Sequence, residues 1–305
     1  MSKIVITFLL FINVYFSFAC LNGETKILEN GAIIYEDYES SIPYGHQFYL
    51  ENVVKLKNQL DSLYKKTGKI AYLSDLGYLL TIEGKLIEAR DLYLEIEKKH
   101  PNRYSTASNL GTVYELLGEN DKALFWINKS ISLDSKSHFG SEWLHSKILE
   151  AKIKGEVFYN SKFLLDIDFD KYSYPISTLS KSKLHNVESA LYYQLNERIS
   201  FIKSNDPIIA VLLFELGNIN MLNKDFKSAE EIFKMAKEYG LKNELISTRL
   251  AYIEGYSKGQ TDKKNDRINP TNIQYNIPKT ILLILIISFL IGLVYYFFIK
   301  KHKKI

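Results

Sequence analysis

Certain residues return along this chain at a spacing of 34. Leu76-Gly77 recurs as Leu110-Gly111, Gly84 as Gly118 and Ala89 as Ala123. A fixed period of this length marks a supersecondary unit that cannot bury its own apolar face and must stack on copies of itself. Inside the unit the apolar residues keep helical spacing, with Leu76, Leu80, Leu92 and Tyr93 filling one interface. Gly77, Gly111 and the alanines allow two helices to approach closely. Gly84 and Gly118 fall where a turn needs a backbone conformation that other residues adopt at a cost. The pattern predicts stacked helix-turn-helix hairpins.

The residues of the period resemble the tetratricopeptide repeat. In the copy from Ile70 to Arg103, Leu73 stands for the usual Trp. Leu76-Gly77, Leu80, Gly84, Ala89, Tyr93 and Pro101 take the remaining places. In the copy from Tyr104 to Ser137, Leu110, Gly111, Tyr114, Gly118, Ala123 and Ile127 match, and Ser135 replaces the terminal Pro. A third copy starts near His138 with Trp143, Leu144, Ile148 and Ile153, but His145 occupies the place of the close-packing Gly. Gly155 to Lys183, with Pro175, reads as a partly extended insertion. Helical character resumes over about 185–203, and a further copy from Ala210 carries Leu213, Leu216-Gly217, Asp225, Ala229, Phe233 and Ala236. Tyr49 to Lys66 (Val53, Leu56, Leu60, Leu63) and Glu244 to Tyr256 would close the two ends. The resemblance implies an all-α helical solenoid over 48–256 with an insertion at about 155–184. It follows a lead at 20–47 and precedes a polar linker at 257–277.

The termini carry membrane signals. Lys3 precedes the apolar run Ile4–Phe18, and Ser17-Phe18-Ala19 suits signal-peptide cleavage, giving a signal peptide at 1–19. Cys20 follows at once, where a bacterial lipoprotein signal would place its acylated cysteine, so Cys20 is the lipidation candidate. At the other end, 281–299 is uncharged and at 1.5 Å per residue spans about 29 Å, a transmembrane helix. The tail 300–305 holds Lys300, Lys301, Lys303 and Lys304, which fix the cytoplasmic side. Both ends agree on a single-pass envelope protein with its body outside the cytoplasm.

The net charge of +4 belongs to the ends. Without those four lysines and Lys3, 34 basic residues face 35 acidic ones, so no basic domain exists to neutralise nucleic-acid phosphates. A single cysteine excludes a disulfide framework. Glu97 with His100, and His138 with Glu142 and His145, have spacings that can ligate metal on a helix. Asp166, Asp168 and Asp170 open like a calcium loop, but Lys171 replaces the turn Gly and Ser177 the bidentate Glu. No nucleophile elbow, P-loop or zincin motif is present. The sequence therefore reads as no enzyme, with no cofactor, no metal and no catalytic residue. What the resemblance implies instead is a concave groove for a protein or peptide partner. Projection of the repeat exposes Ser74, Tyr78, Ser108, Thr112, Glu115, Glu142, Ser146, Phe214 and Asn218 on it. In members that grip chaperone C-termini, Lys, Arg and Asn clamp a carboxylate; the matching places here hold Ser, Tyr and Thr. The leading expectation is a membrane-anchored interaction scaffold or assembly adaptor. The alternatives are a metal-dependent envelope enzyme using the His138–Asp170 region, or a sensor of envelope state acting through a second membrane protein.

Overall fold

The computed structural model describes residues 26–268, apart from 38, 39 and 204. The expected signal peptide at 1–19, Cys20, the transmembrane helix at 281–299, the tail at 300–305 and residues 269–277 of the linker lie outside the described residues. Among the described residues no helix is long and apolar enough to cross a membrane.

The fold is all-α, with twelve helical segments and one small β-hairpin among the described residues. The lead forms that hairpin: β1 (Tyr35–Glu36) pairs antiparallel with β2 (Gln47–Phe48), Tyr35 opposite Phe48. Leu28, Ile34 and Tyr35 of the lead are buried with Val53, Leu60 and Leu79 in a small core of their own. Then follow α1 (Val53–Thr67), α2 (Ala71–Ile82), α3 (Leu86–Lys99), α4 (Tyr104–Leu116) and α5 (Asn120–Leu133). Each packs on the next, and α2 also meets α4, as stacked hairpins require.

One packing rule repeats three times. A Cβ on Gly77 would stand 2.6 Å from Tyr93 Cζ, one on Gly111 2.4 Å from Ile127 Cδ1, and one on Gly217 2.5 Å from Phe233 Cε1. In every case the side chain sixteen residues on, from the second helix, fills the space the glycine leaves. The turns repeat as well. Gly84 and Gly118 are left-handed, at φ 75° and 77°, and the same place in the later copy is held by Lys224 at φ 63°. The N–H groups of Lys85, Glu119 and Asp225 each reach back to the carbonyl five residues earlier, the helix-ending motif that such a residue permits.

The third hairpin departs from the rule. After α5 comes the single turn α6 (Ser137–Gly140), in which His138, Phe139 and Gly140 are all left-handed at φ 50°, 54° and 69°. Next is α7 (Glu142–Lys154), with His145 at the glycine place. No full second helix packs against it. A 3-10 turn (Glu156–Phe158) and the short α8 (Ser161–Leu165) stand there instead. In the insertion, residues 166–180 carry no strand. Leu164, Leu165, Ile167 and Phe169 turn inward and join the core with Leu144 and Ile148, covering the face of α7 that a second helix would have covered.

Then α9 (Lys181–Phe201) runs to α10 (Pro207–Leu222) and α11 (Phe226–Glu238), the later hairpin. Asp206 caps α10 through the N–H groups of Ile208 and Ile209, both at 2.9 Å, with Pro207 at the first helical position. Finally α12 (Glu244–Ile268) crosses the boundary between two compact units, the first ending at Ile253 and the second starting at Glu254. The helix thus continues through the first part of the expected linker. Gly255 and Gly259 weaken a helix without ending it, and no proline falls between Glu244 and Ile268.

Candidate functional site: a charged cavity under α9

The first helices of successive hairpins should leave an inner face open. Here α9 covers it. Arg198 of α9 reaches Glu115 of α4 at 3.1 Å, Gln194 donates to Ser141 Oγ at 3.0 Å, and Tyr193 stacks on His138 with ring centroids 5.2 Å apart. The lead holds α9 from its other side. The N–H groups of Gly45 and His46 donate to Asn196 Oδ1 (2.8 Å) and Ser200 Oγ (2.7 Å), and Phe48 lies between Phe201 and Tyr78.

Between α4, α7 and α9 remains a cavity of about 190 Å³, lined by Thr112, Glu115, His138, Glu142, His145, Lys152, Tyr193, Gln194, Glu197, Arg198 and Phe201. Its charges are paired in a chain. His145 Nε2 meets Glu115 Oε2 at 2.7 Å, and its Nδ1 lies 3.3 Å from Glu142 Oε2. His138 Nδ1 binds Glu142 Oε1, while Tyr104 Oη lies 3.0 Å from the same ring. Lys152 adds a second cation to Glu115 at 2.7 Å. Tyr104 with His138, and Ser108 with Glu142 (3.1 Å), are pairs 34 residues apart, so equivalent positions of neighbouring repeats bond to each other.

The electrostatics follow from this pairing. Burial pushes the Glu115 carboxyl up, but Arg198, Lys152 and His145 outweigh it and hold it well below the usual carboxylate range. Burial is likewise overcome at Glu142, where His138 and His145 hold the carboxyl low. His46, at the edge of this region, lies between Asp37 (2.5 Å) and Glu197 (2.9 Å). Burial favours its neutral ring, yet the two carboxylates raise its pKa on balance. Pairing of this kind builds an interior joint, in which Glu142 Oε2 and Arg198 Nε alone lack a hydrogen bond among the paired groups. Glu142 is shared by two histidines, and Glu115 is held by Arg198 and Lys152 as well as His145.

The residues expected on an open groove are therefore placed differently. Ser108, Thr112, Glu115 and Glu142 do come together, but around a cavity beneath α9. Ser74 and Tyr78 are buried, the Ser74 carbonyl accepting from Tyr93 Oη at 3.1 Å. Ser146 donates to Asn128 of α5 at 2.9 Å. Phe214 and Asn218 are buried and line a different pocket. For Thr112, Glu115 and Glu142 the physical reason is that the chain's own α9 occupies the face the projection left to solvent; Phe214 and Asn218 lie instead against the insertion and α12. Metal-ligating expectations fare similarly. Glu97 is taken by Lys129 and by the N–H of Asn102, while His100 caps α3. Asp166 pairs with Lys162, and Asp168 accepts the N–H of Asp170 at 2.9 Å. His138, Glu142 and His145 line one cavity and Asp168 and Asp170 another, so the His138–Asp170 region is not a single site. Among the described residues no group of three His, Cys, Asp or Glu is arranged to hold a metal ion.

Sequence reasoning missed Arg198 and Lys152, the cations of the cavity. A trace existed: Arg198 falls within the buried run Leu191, Leu195 and Ile199 of α9, so a charge sits on an apolar stripe. It also missed the most exposed aromatic feature. Phe139, in the left-handed turn, is 78% exposed, and Trp143 beside it is 38% exposed. With Gly140, Tyr192 and Tyr193 they line a shallow groove whose other wall includes Ser41 and Ser189.

Fold and site together define an all-α protein of stacked helical hairpins, similar in kind to tetratricopeptide repeat proteins, with a filled inner face. No family model and no curated protein matches the chain. Among solved structures it is similar to the crystal structure, at 2.39 Å resolution, of a tetratricopeptide repeat protein from Parabacteroides merdae ATCC 43184. That likeness has 19% identity over 67% of this chain and 93% of the other, with a TM-score of 0.33. The repeat assignment stands on the hairpin geometry above.

Proposed function

We propose that the protein is a non-enzymatic interaction scaffold, tethered to a membrane, that holds a protein partner outside the cytoplasm through the aromatic face around Phe139. The observation that carries this reading is Phe139 itself. A bulky L-residue in left-handed backbone costs about 1–2 kcal/mol, and here the strained residue presents its ring to water at 78% exposure. Neither fact helps folding. Both make sense for a side chain held out to a partner, since strained backbone gathers at functional positions and exposed aromatics anchor interfaces. Tyr193, 5.7 Å from Phe139, and Trp143 extend the same surface.

The tether is supported by sequence: the run 281–299, the lysines that follow it, and the signal-like start ending at Cys20. A helical-repeat body suits a scaffold because its rigid hairpins hold a docking face at a fixed place. The test is affinity capture from the native membrane with the wild-type chain and with Phe139→Ala/Trp143→Ala. The reading expects a partner recovered with wild type and lost with the double variant while the helical circular dichroism is unchanged. Equal recovery by both would overturn it. A reporter fused after Ile305 tests the tether separately and should be active only in the cytoplasm.

A further inference from the structure

The insertion, α10 and α12 enclose a second pocket of about 510 Å³. One part of its wall is apolar, from Ile167, Phe169, Val211, Phe214, Leu241 and Leu245; the rest is polar or charged and includes Ser161, Asp168, Asp170, Glu215 and Asn218, with exposed Lys171, Lys242 and Asn243. One of the charged lining residues is buried with donors left unpaired. Arg249 is completely buried, at 0% exposure, on the stripe of α12 that also buries Ile246 and Ile253. Its Nη2 donates to the carbonyls of Phe169 (3.3 Å) and Asp170 (2.8 Å), and its guanidinium lies 5.3 Å over the Phe214 ring. Its Nε and Nη1 have no partner.

The carboxylates around it are engaged elsewhere. Glu215 accepts from Ser161 Oγ and from Asn218 Nδ2 (2.9 Å), and burial raises its pKa. Asp168 and Asp170 accept backbone N–H groups. Among the described residues none forms an ion pair with Arg249. Burial lowers the Arg249 pKa to about 10, which still leaves a cation at neutral pH. Glu215, Asp170 and Asp168 attract the guanidinium without meeting it directly, so its Nε and Nη1 stay unbonded in the interior, and Asn218 Oδ1 in the same pocket is buried and unpartnered too.

We propose that this pocket binds a small monocarboxylic acid with an apolar body. The carboxylate meets the unpaired Arg249 donors as a charge-assisted hydrogen-bonded pair. The apolar body lies on Phe214, Leu241 and Leu245, removing their surface from water. One negative charge matches one guanidinium. A dianion or a phosphate would bring a second charge against Glu215, Asp168 and Asp170. The inference is independent of the scaffold reading.

Titration calorimetry on the full-length protein tests it, with hexanoate as probe, hexanamide as the neutral mimic of the same shape and adipate as the dianion. The expected result is saturable one-site binding of hexanoate, with hexanamide and adipate weaker by at least about tenfold. Arg249→Met should abolish hexanoate binding. Since that variant changes a core residue, Leu245→Trp gives the second arm: it narrows the pocket, leaves Arg249 in place and should also abolish binding. Equal affinity for hexanoate and hexanamide, hexanoate binding that survives Leu245→Trp, or no saturable binding up to roughly 10 mM would each overturn the proposal.

Discussion

Asp75→Asn should make the protein more stable at neutral pH, and the gain should grow with pH. Asp75 is a buried residue of α2, 2% exposed, whose Oδ2 accepts the N–H of Glu29 at 2.6 Å. Burial is the largest influence on its carboxyl; Glu29 adds repulsion, while the backbone bond and Lys69 only partly oppose them. The pKa is raised from 3.8 to about 7. The folded state therefore binds more protons than the unfolded state between these values, and stability falls as pH rises through that window. The whole rise corresponds to about 4 kcal/mol at full ionisation, an order-of-magnitude figure. An asparagine keeps an oxygen for the Glu29 N–H and does not titrate. Urea denaturation followed by Trp fluorescence at pH 4.5, 6 and 8, for wild type and variant, isolates the effect as a difference. This matters because other groups titrate too. Glu115 and Glu142, held low, contribute stability that is lost as pH falls below the ordinary carboxylate range. His46, raised, contributes stability that is lost as pH rises through its folded value. The variant should be near wild type at pH 4.5 and more stable by a few kcal/mol at pH 8. A gap independent of pH, or a wild type more stable at pH 8, would refute the reasoning.

Lys224→Gly should stabilise by about 1 kcal/mol, because it relieves left-handed backbone at φ 63° in a turn where both other copies use glycine; an unchanged urea midpoint would speak against it. Gly111→Ala should cost about 1–3 kcal/mol despite the helix propensity of alanine, since the new Cβ meets Ile127. Adding Ile127→Ala should then cost less than it does alone, with a coupling of about 1 kcal/mol or more in a double-mutant cycle. Arg198→Met should destabilise by about 3 kcal/mol by leaving Glu115 with less compensation in the interior, and Glu115→Gln in the same chain should recover part of it; calorimetric Tm values of wild type and the two variants check this.

The hairpins were legible because they rest on local constraints that repeat. Gly77, Gly111 and Gly217 each need a missing side chain, and each is met sixteen residues later by a residue the period also marks. The places where the pattern weakened were the places where the chain does something else. His145 at a glycine position goes with a hairpin that lacks a full second helix, and the insertion that looked like a surface excursion supplies Ile167 and Phe169 to the core. What sequence could not convey was the position of α9. Its apolar residues announce a buried helix, but which face it buries against depends on long-range pairs such as Arg198 with Glu115 and His46 with Glu197. Without that helix in place, Thr112, Glu115 and Glu142 project as an open groove, although they line a cavity beneath α9. The left-handed turn at Phe139 was hidden for a different reason: the residues there are not those that usually mark such backbone, apart from Gly140.

The claim that partner recognition has moved from the inner face to the aromatic face can be tested directly by site-specific photo-crosslinking in native membranes. A benzophenone amino acid placed at position 139, or at 112 under α9, reports what lies against each. The account predicts an intermolecular adduct from position 139, and from position 112 only crosslinks within the chain, to α9. An intermolecular adduct from position 112 with none from 139 would contradict it.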